Sequence, residues 1–122
     1  MNALMVFLGG GLGALTRYFL YLISPKDCYF PICTLTANFF GCFIATAVFT
    51  YFILKSDTDE MYKLLLITGF CGGLSTLSAL SIELTVYFQS QEYLKAFLYI
   101  ITSLLICVIS VILGIVLVRK YV

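Results

Sequence analysis

The sequence has little charge and lacks both histidine and tryptophan. Only 11% of its 122 residues are charged, whereas soluble domains carry roughly 25%. Seven lysines and arginines are nearly balanced by six aspartates and glutamates, so no basic region indicates a nucleic-acid partner. Without histidine, a nucleophile–base pair or loops large enough to hold one, the chain is not expected to be an enzyme. The 62% hydrophobic content instead predicts an integral membrane protein.

Cysteine is present, but its pattern does not indicate a covalent framework. The count of five is odd, and no two cysteines have the CxxC spacing found in many zinc and redox sites. We therefore interpret Cys28, Cys33, Cys42, Cys71 and Cys107 as small apolar packing residues.

Four apolar stretches predict transmembrane helices at about residues 4–23, 31–54, 64–88 and 94–118. Each is 20 to 25 residues long, and about 20 residues cross the hydrocarbon core of a bilayer. We predict an all-α protein of the cell membrane with a single transmembrane domain over residues 1–122. Because four such spans enclose little by themselves, we expect an oligomer. Lysines and arginines are only slightly more numerous on the side that holds both termini. This excess weakly favours both termini in the cytoplasm, and insertion in both orientations stays open.

The third span contains a segment that is poorly suited to a continuous helix. Its middle combines three glycines with three hydroxyl residues: Gly69, Gly72, Gly73, Ser75, Thr76 and Ser78. Glycine costs about 1 kcal/mol relative to alanine inside a helix, and serine and threonine offer the backbone competing hydrogen bonds. We predict that this helix is broken near its middle, as helices are at ion and substrate sites of transporters. The alternative is that the GxxxG spacing of Gly69 and Gly73 only lets another helix approach closely.

Polar side chains in the other spans are candidates for an ion pathway. Asn38 is the strongest, because a buried amide in lipid needs partners and can donate two hydrogens. It either joins helices or donates to a passing anion. Arg17 is either an interfacial anchor or a positive charge at an anion entrance. Glu83 either reaches the interface or accepts hydrogen bonds from neighbouring helices.

The fourth span has a polar stripe. Tyr99, Ser103 and Cys107 fall at i, i+4 and i+8, so they share one helix face and indicate a narrow polar track.

Three motifs, taken in order, resemble the CrcB/Fluc family of fluoride channels: residues 10–18 (GGLGALTRY), 38–43 (NFFGCF) and 69–76 (GFCGGLST). The resemblance covers essentially the whole chain. It implies an antiparallel, dual-topology dimer with two narrow pores that let cytoplasmic fluoride leave passively and so relieve fluoride toxicity. It also implies a structural sodium ion at the dimer centre, where the two broken third helices meet.

The resemblance assigns roles to residues around the break. Gly72 and Ser75 match the positions whose backbone carbonyls hold the sodium ion. Asn38 and Ser78 match pore-lining positions, and Thr76 is a further neutral donor near them. Neutral donors replace water around a small anion without holding it too tightly.

The remaining assignments lie further from the break. Arg17 matches the first-span arginine, and Glu83 matches the acidic residue that follows the third-span motif. Tyr99, Ser103 and Cys107 fall where the fourth-span polar track of the family is expected.

The sequence departs from the family motif at two phenylalanines that line the pores. The motif continues Thr-Thr-Phe-Ser-Thr-Phe, whereas residues 75–80 read Ser-Thr-Leu-Ser-Ala-Leu. Phenylalanine edges carry partial positive charge that can contact an anion, and Leu77 and Leu80 have no such edge. A channel of two identical chains, a heterodimer whose partner supplies phenylalanines, and a non-conducting assembly subunit therefore stay open. A four-span multidrug exporter is disfavoured, because residues 4–23 contain no carboxylate.

Overall fold

The computed structural model describes residues 2–55 and 59–122, and within these ranges the regular structure is entirely helical. The elements are, in order, α1 (Asn2–Ile23), α2 (Ile32–Lys55), α3 (Glu60–Lys63), a π-helical segment (Leu64–Cys71), α4 (Gly72–Leu74), α5 (Leu77–Gln89) and α6 (Tyr93–Tyr121). The composite third span Glu60–Gln89 and the other three long helices are each apolar enough to cross a membrane. The protein is a multi-pass membrane protein of the all-α class, as predicted.

The third span and α6 run beyond the apolar stretches predicted for them. The third span is capped by Asp59, whose carboxylate accepts the Met61 N–H at 3.1 Å. The last turn of α6 contains Arg119 and Lys120, whose positive charge is favourable near the carboxyl end of a helix. Polar residues thus extend these helices past the apolar core of each span.

α1 packs closely against the first half of the third span through its glycines. A Cβ on Gly9 would overlap the Leu65 carbonyl oxygen, and a Cβ on Gly13 would overlap the Phe70 carbonyl oxygen. Both glycines are buried, and they let the two backbones meet without intervening side chains. These two glycines also have GxxxG spacing, and Gly69 and Gly73 of the third span likewise meet the α1 backbone, so both pairs serve helix packing.

α2 packs along α6, and the main cluster of buried side chains lies where these two helices meet α5. A Cβ on Gly114 would lie 3.0 Å from the Phe43 carbonyl oxygen, so this glycine allows a close approach of α6 to α2. The cluster consists of Leu35, Tyr87, Ala96 and Tyr99. It fixes the ends of the three helices that lie near the α1–α2 loop.

Most of the apolar surface is not covered by the chain itself. Only 11% to 28% of the most apolar part of each span is buried. Large side chains are exposed on several spans, for example Phe7 at 75% and Leu77 at 77%. In a membrane protein such a surface contacts lipid or another subunit.

The third helix is interrupted at Ser75 and Thr76, which confirms the predicted break near its middle. Both residues have extended backbone, with φ/ψ of −71°/150° and −152°/122° respectively. The glycines do not cause the break: Gly69, Gly72 and Gly73 are helical, and no glycine in the described part of the chain has a positive φ. The interruption belongs to the hydroxyl residues, which can hydrogen-bond the freed backbone.

Candidate ion site at the break in the third span

Ser75 and Thr76 satisfy part of the backbone that the break frees. The Thr76 hydroxyl oxygen accepts the Ala79 N–H at 3.1 Å and caps the amino end of α5. The Ser75 N–H and the Ser75 hydroxyl both donate to the Cys71 carbonyl oxygen, each at 2.9 Å. The break is therefore capped on both sides, as non-helical backbone at membrane depth requires.

Asn38, on the neighbouring helix α2, forms hydrogen bonds with the backbone at the break. Its Oδ1 atom accepts the Thr76 N–H at 2.6 Å, and its Nδ2 atom donates to the Thr76 carbonyl oxygen at 3.2 Å. Gly41 lies one turn further along α2 and permits this approach, because a Cβ there would lie 2.9 Å from the Ser75 Cβ. Asn38 thus joins helices, one of the two alternatives left open by the sequence. The second Nδ2 hydrogen is available to a further acceptor.

Several backbone carbonyls at the break are available to a ligand, and those of Gly72 and Ser75 are among them. Within the described ranges, neither the Gly72 nor the Ser75 carbonyl oxygen accepts a hydrogen bond. Gly72 is exposed on the surface of the chain, and Ser75 is half-buried. Neutral backbone oxygens at a helix break are the ligand type that sodium takes in membrane transporters. The donor set therefore fits the sodium ion that the resemblance implies, and the described residues form no rival cluster of three acidic or thiol groups.

Ser78 forms a hydroxyl pair with Thr76 at the start of α5. Their oxygens lie 3.1 Å apart, and either hydroxyl can be the donor. Ser78 is exposed, whereas Thr76 is 7% exposed. The two predicted donors are thus adjacent, with Ser78 directed to the outside of the chain.

Glu83 accepts hydrogen bonds from two neighbouring spans. The Thr34 hydroxyl donates to Oε1 at 2.6 Å, and the Tyr99 hydroxyl donates to Oε2 at 2.5 Å. These contacts agree with the second alternative for Glu83, in which it accepts hydrogen bonds from neighbouring helices. Thr34 was not among the predicted site residues, although it precedes Asn38 by four residues and therefore shares its face of α2.

The polar stripe of α6 uses its hydroxyl hydrogens within the chain. Tyr99 and Ser103 are buried and Cys107 is half-buried. The Tyr99 hydroxyl donates to Glu83, and the Ser103 hydroxyl donates to the Tyr99 carbonyl oxygen at 2.8 Å. The predicted role of this stripe as an anion track therefore requires at least one of these hydrogen bonds to break.

Arg17 and Glu83 line one cleft of about 390 Å³ between α1, α2 and α5. A second cleft of about 370 Å³ shares Glu83 with the first and also contains Lys26 and Lys95. Residues of the α1–α2 loop line this second cleft, so it lies at one end of the spans. Glu83 thus shares these clefts with positive side chains, although the hydrogen bonds to its carboxylate come from Thr34 and Tyr99. The role of Arg17 at an anion entrance stays a prediction.

Comparison with known proteins agrees with this architecture. The family model described as "CrcB-like protein, Camphor Resistance (CrcB)" matches residues 4–115. The chain belongs to the CrcB family.

Relatives in the CrcB family are similar over most of their length. A protein of Pyrococcus abyssi named "Fluoride-specific ion channel FluC" is 37% identical over 98% of this chain and 97% of its own. Proteins with the same name from Klebsiella pneumoniae and Salmonella arizonae are 42% and 41% identical, over 82% and 84% of this chain and 80% and 81% of theirs. The family resemblance inferred from the three motifs is thereby confirmed.

The two leucines that replace the phenylalanines of the CrcB motif have different surroundings. Leu77 is 77% exposed on the first turn of α5. Leu80 packs against the buried cluster that contains Tyr87 and Tyr99. Within one chain, therefore, Leu77 is far more accessible than the half-buried Leu80 to a neighbouring subunit or to lipid.

Proposed function

We propose that the chain is a subunit of a fluoride-selective channel in the cell membrane, through which cytoplasmic fluoride leaves passively and fluoride toxicity is relieved. The observation that carries this proposal is the similarity to fluoride-specific ion channels over 82% to 98% of the chain. The matched residues 4–115 include the second and third spans, the break, and most of the first and fourth spans. Because a channel moves an ion without covalent chemistry, we assign no enzymatic reaction.

The anion path runs past neutral donors near the break. The second Nδ2 hydrogen of Asn38 and the hydroxyl pair of Thr76 and Ser78 can replace water around fluoride and still release it. Arg17, at the edge of the adjoining cleft, adds a positive potential that draws anions in. A negatively charged Glu83 would repel an anion. Its part in this proposal is therefore to hold the hydroxyl groups of Tyr99 and Thr34 in place.

A second subunit completes the channel. Gly72, Leu77 and Ser78 are all exposed near the break, and a partner subunit in the opposite orientation would cover them. The partner is a second copy of this chain or a related chain that supplies phenylalanines. The exposure of Leu77 supports the related chain as the alternative partner. A phenylalanine of that chain would supply, beside Leu77, the aromatic edge that leucine lacks.

The interface also holds a structural sodium ion in this proposal. The Gly72 and Ser75 carbonyl oxygens of each subunit are its ligands. When bound, the ion supplies a fixed positive charge in a medium of low dielectric constant, which favours an anion in the neighbouring pores.

The test is fluoride efflux from liposomes that contain the purified chain alone, measured with a fluoride electrode, with chloride efflux measured in parallel. We expect rapid fluoride efflux and no chloride efflux above that of protein-free liposomes. Equal release of both anions would contradict the proposed selectivity.

The same assay distinguishes the two kinds of dimer. Fluoride efflux from the chain alone supports the homodimer. No efflux from a preparation that elutes as a folded dimer favours the heterodimer, and the Leu77→Phe variant is then expected to restore efflux. If that variant is also silent, and the unmodified chain gives no efflux together with a CrcB-family relative that is silent by itself, the chain is not a conducting subunit.

A further inference from the structure

We propose that the side chains of Asn38 and Thr76 are positioning residues for the cation site, because each removes the backbone donor that would otherwise occupy one of its two carbonyls. This inference rests on the proposed function, in which the Gly72 and Ser75 carbonyl oxygens hold sodium. It assigns to Asn38 a task other than contact with the anion.

The first carbonyl is freed by Asn38. In a continuous α-helix, the N–H of residue i donates to the carbonyl oxygen of residue i−4, so the Thr76 N–H would donate to Gly72. The Asn38 Oδ1 atom instead accepts the Thr76 N–H at 2.6 Å. Its Nδ2 atom also holds the Thr76 carbonyl oxygen, at 3.2 Å, which fixes the orientation of the residue. Gly72 therefore keeps its oxygen free on the surface of the chain.

The second carbonyl is freed by Thr76 in the same way. The helical partner of the Ser75 carbonyl oxygen would be the Ala79 N–H. That N–H donates to the Thr76 hydroxyl oxygen at 3.1 Å. The two carbonyls assigned to the cation are thus the two whose helical donors are captured by side chains.

At these two carbonyls, the capture also removes the backbone donor that could close the break. An uncaptured N–H at membrane depth costs free energy until it finds an acceptor, and the nearest helical acceptor is the carbonyl four residues earlier. Without Asn38 or the Thr76 hydroxyl, the backbone donor and the cation compete for the same oxygen. A weaker cation site follows, even in a dimer that still assembles.

The experiment measures sodium dependence by a readout other than fluoride flux. The purified dimer in detergent is unfolded by heat at a series of sodium concentrations, with N-methyl-D-glucamine chloride keeping the ionic strength constant. The concentration that gives half of the maximal rise in melting temperature is the measured quantity. Asn38→Leu removes both amide bonds at similar volume, and Thr76→Val removes the hydroxyl at similar volume.

We expect each of these two variants to raise the half-maximal sodium concentration about tenfold or more, the effect of one lost hydrogen bond. Thr76→Ser keeps the hydroxyl and is expected to restore the unmodified response. Thr36→Val is the matched control on α2, because it removes a hydroxyl two residues from Asn38 that makes no hydrogen bond to the break within the described ranges. It should leave the sodium response unchanged.

An unchanged half-maximal concentration in both Asn38→Leu and Thr76→Val would overturn the inference. If Asn38→Leu does not form a dimer, the Thr76→Val and Thr76→Ser pair decides alone. If the unmodified chain itself shows no sodium response, the inference fails together with the sodium site. Fluoride efflux from liposomes is then still measurable, so that failure is distinct from failure of the channel proposal.

Discussion

The Tyr99→Phe substitution separates a structural role of the Tyr99 hydroxyl from a role in contacting the anion. Tyr99 is completely buried, and its hydroxyl donates to Oε2 of Glu83 at 2.5 Å. The Thr34 hydroxyl donates to the other carboxylate oxygen, Oε1. A hydrogen bond to a charged group is worth about 1.5–3 kcal/mol in soluble proteins, but polar contacts between membrane helices average nearer 0.6 kcal/mol. We therefore expect Tyr99→Phe to lower the unfolding free energy by about 1–2 kcal/mol.

The assay combines unfolding of the purified protein in detergent with fluoride efflux from liposomes. Because the hydroxyl hydrogen is used within the chain, efflux through folded protein should stay within about twofold of the unmodified rate. Tyr93→Phe is the matched control, since Tyr93 is 62% exposed at the start of α6, and it should change neither quantity. A double-mutant cycle with Glu83→Gln should give a coupling energy that accounts for most of the Tyr99→Phe loss.

Loss of fluoride efflux with unchanged stability would refute this reasoning. The Tyr99 hydroxyl would then contact the anion, as the predicted polar track of α6 implies, and its hydrogen bond to Glu83 would be one that opens during conduction.

Two further predictions concern packing. Gly13→Ala places a Cβ on the Phe70 carbonyl oxygen and should cost about 1–3 kcal/mol of stability or prevent folding. Gly11→Ala is the control, because its Cβ meets open space and should not change stability. Equal effects of the two substitutions in thermal unfolding would contradict the α1 packing. Leu80→Phe enlarges a side chain that packs on the buried cluster and should also lower the unfolding free energy by about 1–3 kcal/mol. Leu77→Phe should leave it unchanged, because Leu77 is exposed. A larger loss for Leu77→Phe in the same measurement would contradict the surroundings described for the two leucines.

The sequence predicted the membrane class and the four spans because their signal is local. Apolar stretches of sufficient length can be read directly from composition. The break was also predictable, since three hydroxyl residues follow the glycines within one span. Its cause was assigned wrongly in part: Gly69 and Gly73 face α1, and the extended backbone begins only at Ser75.

The contacts that define the site could not be predicted from spacing alone. Asn38 lies 38 residues before Thr76, and Glu83 lies 49 residues after Thr34 and 16 before Tyr99. A polar residue in an apolar span indicates that a hydrogen-bond partner is needed, but the identity of that partner depends on how the helices pack. For the same reason, the sequence could not distinguish Leu77, which is exposed, from Leu80, which is half-buried against the cluster.

Passive conduction of fluoride is tested most directly by electrical recording from the purified chain in a planar bilayer with a tenfold fluoride gradient and equal chloride on both sides. A fluoride-selective channel gives a current that reverses near the fluoride equilibrium potential, about 59 mV for a tenfold gradient of a monovalent ion. The account predicts that reversal, without dependence on a proton gradient. A reversal near zero, or one that follows the proton gradient, would contradict it.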